Sequence, residues 1–184
     1  MKMNKGFTLI ELMVSLAVMA IFLTMAIPAF TDVIKNNRLV SQTNSLVADI
    51  NLARSEAVKR GVQVILCRSA NSTAAVSSLA CGGIAQTWTT GWFVFASGDS
   101  NTTFTAGTDT LIKRSEIARK GVIIKTNASG DSSLAYNADG TNGNSSTVLF
   151  ALCDDRGNTK GREIQIINTG RPRLTSENIT NCTP

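Results

Sequence analysis

The chain has no histidine, and its four cysteines, Cys67, Cys81, Cys153 and Cys182, include no Cys-x-x-Cys pair. Both absences argue against zinc, whose structural sites draw on closely spaced Cys and His. Without histidine there is no Ser-His-Asp arrangement, and no basic residue marks itself as an activated nucleophile or base. No catalysis, metal or cofactor is therefore expected. Aromatic residues are scarce: two Trp, one Tyr and seven Phe. Phe7, Phe22 and Phe30 fall in an N-terminal apolar run. Because large aromatics supply much of a domain's buried area, Trp88, Trp92, Phe93 and Phe95 read as core, not as a platform for stacking on bases. The oxygen-rich stretch from Asn137 to Gly143 lacks the full calcium-loop pattern and its terminal Glu, and reads as an ordinary turn. No internal repeat is present.

What the chain does have is Lys5-Gly6-Phe7-Thr8-Leu9-Ile10-Glu11-Leu12, running into an apolar stretch that reaches Phe30. About 20 such residues suffice to cross a bilayer. A charge within such a segment costs a few kcal/mol or more, which makes Glu11 a functional residue in search of a partner. A secretory signal needs an uninterrupted apolar h-region and a small-x-small cleavage site, and neither is present.

The basic leader, Gly6 and the following residues resemble the processing site of type IV pilins and the related type II secretion pseudopilins. The resemblance implies that a prepilin peptidase cuts between Gly6 and Phe7 and methylates the new N-terminal Phe7, leaving Glu11 as the fifth mature residue. It also implies that Glu11 sits beside the N-terminal amine of an adjacent pilin in the filament core, where low dielectric strengthens the attraction. The expected organisation is a leader over 1–6, a membrane and filament-core half-helix over 7–34, an amphipathic half over 35–60, and a globular β domain over 61–184. The expected location is the bacterial inner membrane, crossed once, and after assembly a surface-exposed type IV pilus, with the globular domain periplasmic or extracellular.

A length of 184 residues allows one domain besides the N-terminal helix. Removing the leader with Lys2 and Lys5 lowers the formal net charge from +5 to +3, a mildly basic balance that permits contact with polyanions without demanding it. An even cysteine count in an exported domain suits disulfides. Four cysteines allow three connectivities. Pairing Cys67 with Cys81 would close a polar loop, and Cys153 with Cys182 would tie the C-terminal tail to the body, each contributing on the order of 3 kcal/mol.

Leu39, Thr43, Leu46, Ile50, Ala53 and Ala57 recur at spacings of three and four, so the helix should continue beyond the membrane with a core-facing stripe. Gly61 should stop it, and Pro28, which removes one backbone hydrogen bond, should kink or locally unwind it. After Gly61 short β-type runs alternate with Gly, Asn, Ser and Asp clusters, which predicts antiparallel sheet. The expected strands are 62–68, 92–96, 110–115, 122–125, 147–152, 163–167 and 172–174, with surface loops over 69–87, 98–108 and 127–143.

Trp88-Thr89-Thr90-Gly91-Trp92-Phe93-Val94-Phe95, Leu111 to Glu116, Cys153 to Gly157, Arg54-Ser55-Glu56-Ala57 and Gly170-Arg171-Pro172-Arg173 together resemble the GspH/FimT group of minor pilins and pseudopilins. That resemblance implies an α+β fold, a long N-terminal helix packed on an antiparallel β-sandwich. FimT-type minor pilins with Gly-Arg-x-Arg near the C-terminus resemble DNA receptors for natural transformation, which implies that Arg171 and Arg173 contact DNA. Guanidinium groups pair bidentately with phosphate oxygens, and residues at i and i+2 on a strand face one side. Uptake of arbitrary DNA needs no base readout. Lys160 and Arg162 are the expected auxiliary contacts.

Competing readings come from charge. From Cys153 onward five basic residues stand against four acidic ones, so Arg171 and Arg173 could be merely solvated or paired with Glu163 or Glu177. The cluster of Lys113, Arg114, Arg119, Lys120 and Lys125 reads first as a solvated hairpin whose lysines guard a strand edge. Two further roles remain open: a structural subunit joining filament to tip complex, and a pseudopilin serving protein secretion.

Overall fold

The computed structural model describes residues 6–84, 87–115, 118–127, 132–144, 146–175, 179 and 182; the side chains at 25, 28 and 29 are outside the described set. Most of the expected leader, and Glu116 and Glu177, therefore lie outside it as well.

Helix α1 spans Leu9–Arg60. Thr8 caps its start, its hydroxyl accepting the Glu11 N–H at 3.3 Å, which satisfies one of the first-turn donors left without a helical partner. Its end is set by Gly61, whose φ of +67° is the left-handed conformation that suits glycine after a helix; the Gly61 N–H closes the last turn on Ala57 O at 2.9 Å. The helical assignment runs through position 28 without unwinding.

The chain divides into two compact units, Met1–Asn37 and Arg38–Pro184. In the first, the described apolar side chains, among them Leu9, Ile10, Leu16 and Phe22, are exposed. Among the described residues no helix is long and apolar enough to cross a membrane.

In the second unit the stripe Leu39, Thr43, Leu46, Ile50, Ala53 and Ala57 is buried throughout. It meets two four-stranded antiparallel sheets. The strands are β1 (Val64–Arg68), β2 (Trp92–Ala96), β3 (Thr110–Arg114), β4 (Ile123–Thr126), β5 (Ser133–Tyr136), β6 (Val148–Cys153), β7 (Arg162–Ile166) and β8 (Pro172–Thr175). The first sheet runs β3-β2-β1-β5 and the second β4-β6-β7-β8. One core cluster joins the helix stripe to Val64, Leu66, Trp92 and Val94 of the first sheet and to Ile124, Phe150, Leu152, Ile164 and Ile166 of the second.

The opposite face of the first sheet is also buried. Ile65, Cys67, Phe93 and Phe95 pack there beneath Leu79, Cys81 and Phe104 from the long loops, with the Cys67–Cys81 disulfide as tether. On the second sheet, Ala151 and Cys153 pack with Ile179 and Cys182 of the tail, held by the Cys153–Cys182 disulfide.

Two expectations need correction. The 127–143 stretch is not all surface loop, because it contains β5, whose four residues are all buried against β1. Nor do Lys113 and Lys125 share a hairpin: β3 and β4 are edge strands of different sheets.

Asp49 lies on the buried helix face and is fully buried. Its carboxylate accepts the Trp92 indole N–H at 2.8 Å and the Ser115 hydroxyl at 2.6 Å, and forms an ion pair with Lys113. Buried charges persist only when paired and hydrogen-bonded. Replacing Asp49 by Ala is expected to cost about 3 kcal/mol, since it leaves the indole donor orphaned and the helix unpinned. Lys113→Ala, which leaves one oxygen of the buried carboxylate without its partner but keeps the bonds from Trp92 and Ser115, should cost less, roughly 1–3 kcal/mol. Denaturant unfolding of the full chain in non-ionic detergent, followed by Trp fluorescence, checks both.

Candidate nucleic-acid interface

The Gly-Arg-Pro-Arg run begins at a point where only glycine fits. Gly170 has φ +73°, and a Cβ there would be driven into the Gly140 carbonyl oxygen and against the Tyr136 ring. The Gly170 N–H donates to Ile167 O at 2.9 Å, which closes the turn from β7 into β8. Its carbonyl accepts the Tyr136 hydroxyl at 3.0 Å. Facing it, Gly140 accepts a 2.9 Å hydrogen bond from Arg54 Nε of α1, and the Asn142 N–H donates to Asn168 O at 3.0 Å. Helix, β5 turn and motif are thus locked together at one place. Burial pushes the Tyr136 hydroxyl far above the ordinary phenol range, against the opposing pull of the Arg54 charge, so it remains a donor.

The 137–142 turn that presents Gly140 uses its oxygens internally. Asp139 accepts from the Thr141 N–H at 2.9 Å and the Thr141 hydroxyl at 2.6 Å, and these bonds hold its carboxyl below the usual range.

From this anchor Arg171 and Arg173 project, and both are exposed. β8 is an edge strand, with Pro172 opposite Ile166 and Arg173 opposite Gln165. Residues paired across antiparallel strands share a face. Arg173 therefore stands on the face away from Ile164 and Ile166, and Arg171, also exposed, immediately precedes β8. Neither arginine has an ion-pair partner among the described residues. Glu163 lies on the same outer face, opposite Thr175; partial burial raises its carboxyl above the ordinary value.

The auxiliary residues separate. Lys160 is exposed beside the 157–159 turn. Arg162 is half-buried and pairs with Leu152, a core residue, so it stands on the opposite face from Arg173. The register thus removes Arg162 from the group. Conversely, Arg54, Tyr136 and Gly140 were not anticipated here. Arg54 stood out within Arg54-Ser55-Glu56-Ala57, but nothing in sequence tied it to Gly170. The remaining expected residues lie elsewhere: Gly6, Phe7 and Glu11 are exposed at the chain start, and the four cysteines are paired as the two disulfides above.

A family model described as "Type II transport protein GspH" matches residues 42–170, and one described as "Prokaryotic N-terminal methylation motif" matches residues 1–27. Arg171 and Arg173 fall just beyond the first match. Two crystal forms of the Pseudomonas aeruginosa type IV minor pilin FimU share the fold at 22% identity. One gives a TM-score of 0.60, covering 80% of this chain and 96% of that one. The other gives 0.57, covering 78% and 98%. No curated protein matches the chain significantly.

Gly170→Ala is expected to destabilise the domain by roughly 2–4 kcal/mol, combining left-handed strain with overpacking against Gly140. Tyr136→Phe, which keeps the ring and deletes the hydroxyl donor, should cost about 1 kcal/mol. Thermal or denaturant melts of the purified chain measure both, and equal costs for the two would contradict the packed-turn account.

Proposed function

The chain belongs to the GspH family and has the role of a minor type IV pilin or pseudopilin; within that role we propose that it binds DNA without sequence preference, through Arg171 and Arg173, during natural transformation. The observation that carries this reading is the pair of exposed arginines at the start of an edge strand, Arg171 just before β8 and Arg173 within it, anchored at Gly170 and without ion-pair partners among the described residues. Such a pair grips successive phosphates and ignores bases. Each phosphate contact releases counterions, so binding should weaken steeply with salt. Several copies along a filament would raise the effective concentration without any new contact.

The proposal includes the life cycle. Prepilin peptidase cuts between Gly6 and Phe7 and methylates Phe7. The apolar half of α1 holds the subunit in the inner membrane, and Glu11 then pairs with the terminal amine of a neighbouring pilin. Capping by Thr8 keeps the first turn helical around Glu11. The matched family's description favours one second reading, a pseudopilin of type II secretion. In it Arg171 and Arg173 would face carboxylates of a protein neighbour.

Three measurements test this. In mobility-shift titrations of the full chain in non-ionic detergent, wild type should bind duplexes of unrelated sequence equally and lose affinity with salt, and Arg171→Gln plus Arg173→Gln should abolish the shift. A folded wild type that fails to bind at low salt would overturn the DNA reading in favour of a structural subunit joining filament to tip complex, whereas loss of exoprotein export on gene deletion would support the pseudopilin.

Glu163 gives a pH dependence. Its folded-state carboxyl is raised, so it stays neutral further up the pH scale than an ordinary carboxylate and becomes charged only as pH rises through the raised value. DNA affinity should therefore tighten as pH falls through that range, and Glu163→Gln should bind more tightly at neutral pH with that dependence removed. For processing, intact-mass analysis of chain made with an active prepilin peptidase should show an N-terminal methyl-Phe7; a chain retaining residues 1–6 would contradict it.

A further inference from the structure

We propose that a second site, a cleft between α1 and the end of β3, binds an oxyanion of the phosphate class. The cleft has a volume of about 540 Å³ and is lined by Ser41, Gln42 and Ser45 of the helix and by Lys113, Arg114 and Arg119. Its remaining wall is Ser115, whose hydroxyl donates to Asp49. No carboxylate is among the described lining residues.

What distinguishes this cleft from a solvated charge run is that two of its three cations, Lys113 and Arg114, are already held. Lys113 is fixed by its ion pair with the buried Asp49. Arg114 is fixed by a 2.6 Å hydrogen bond from Nη1 to Ala74 O, and its other donors have no partner among the described residues. Gln42, buried on the helix, accepts the Arg119 N–H at 3.1 Å and so sets where that residue leaves the backbone. The Arg119 side chain is exposed and has no hydrogen-bond or ion-pair partner among the described residues.

Among the described residues, three cations therefore stand against one carboxylate, Asp49, which is spent on Trp92, Ser115 and Lys113. Guanidinium groups bind tetrahedral oxyanions through paired N–H donors, and Ser41 and Ser45 offer hydroxyl donors on the facing wall. Holding Lys113 and Arg114 in place before binding lowers the entropic cost of capture. The site is independent of Arg171 and Arg173, since β3 borders the first sheet and β8 the second. The phosphate group could come from free phosphate, a nucleic-acid backbone or a lipid headgroup.

The test follows arginine side-chain Nε–Hε signals of the full chain in non-ionic detergent as inorganic phosphate replaces chloride at constant ionic strength. The Arg171→Gln, Arg173→Gln background is used throughout, so that the outcome does not depend on the DNA reading. Signals of Arg114 and Arg119 should shift and saturate. Arg119→Gln should weaken binding about tenfold, and Arg119→Glu should abolish it. Because Arg119 is exposed, both variants should melt at the same temperature as their parent. Shifts that do not saturate, or that persist in Arg119→Glu, overturn the proposal. Once saturable binding is established, displacement of phosphate by duplex DNA identifies a nucleic-acid source. Displacement by nanodiscs of anionic lipid identifies a headgroup, and displacement by neither identifies free phosphate.

Discussion

A carboxylate cannot stay buried unless its oxygens are occupied, and in this fold the requirement falls on Asp49. Its two oxygens draw an indole from β2, a hydroxyl from Ser115 and an ammonium from β3 onto one turn of α1. Hydrophobic contact alone would let the helix slide or roll over a face of Leu, Val and Ile, because such contact is non-directional. Three directed bonds at one carboxylate leave one register. The stripe from Leu39 to Ala57 then lies over both sheets at once, and Arg54, about one and a half turns beyond Asp49, reaches the Gly140 carbonyl.

Each sheet meets the same packing problem on its outer face and solves it in a similar way. A central strand, β1 in one sheet and β6 in the other, carries a cysteine bonded to a second cysteine outside the strands. The first tether brings Leu79 and Phe104 over Phe93 and Phe95; the second brings Ile179 over Ala151. In this way a chain with few aromatics covers more than one apolar face. In this chain the pilin framework is thus a helix packed on two sheets with two disulfide tethers, and β8 forms one edge of the second sheet.

Much of this was legible in the chain. The helix stripe repeats over five turns, and the strands announced by β-branched and aromatic runs lie within one or two residues of their expected bounds. β5 escaped because Ser133-Leu134-Ala135-Tyr136 is buried on both sides, so it lacks the alternation that marks a half-exposed strand. Asp49 escaped because a lone acid beside an apolar stripe ordinarily reads as solvated. The arginines of the candidate site were visible as a short motif. The need for glycine at 170 was not, because its reasons, Gly140, Tyr136 and Arg54, are distant in sequence. The placement of Arg162 is different: its alternation with Ile164 and Ile166 already put it on the core side of β7.

The lock at Gly170 also settles how a pull on the exposed edge would travel. Tension applied at Arg171 meets, one residue away, a carbonyl held by Tyr136 and a neighbouring turn held by Arg54 of α1. Load therefore enters the helix through crosswise bonds that must shear together, without first peeling β8 from β7 one rung at a time. A strand that would unzip under a steady pull if hung only by its ladder is instead moored to the longest element of the molecule.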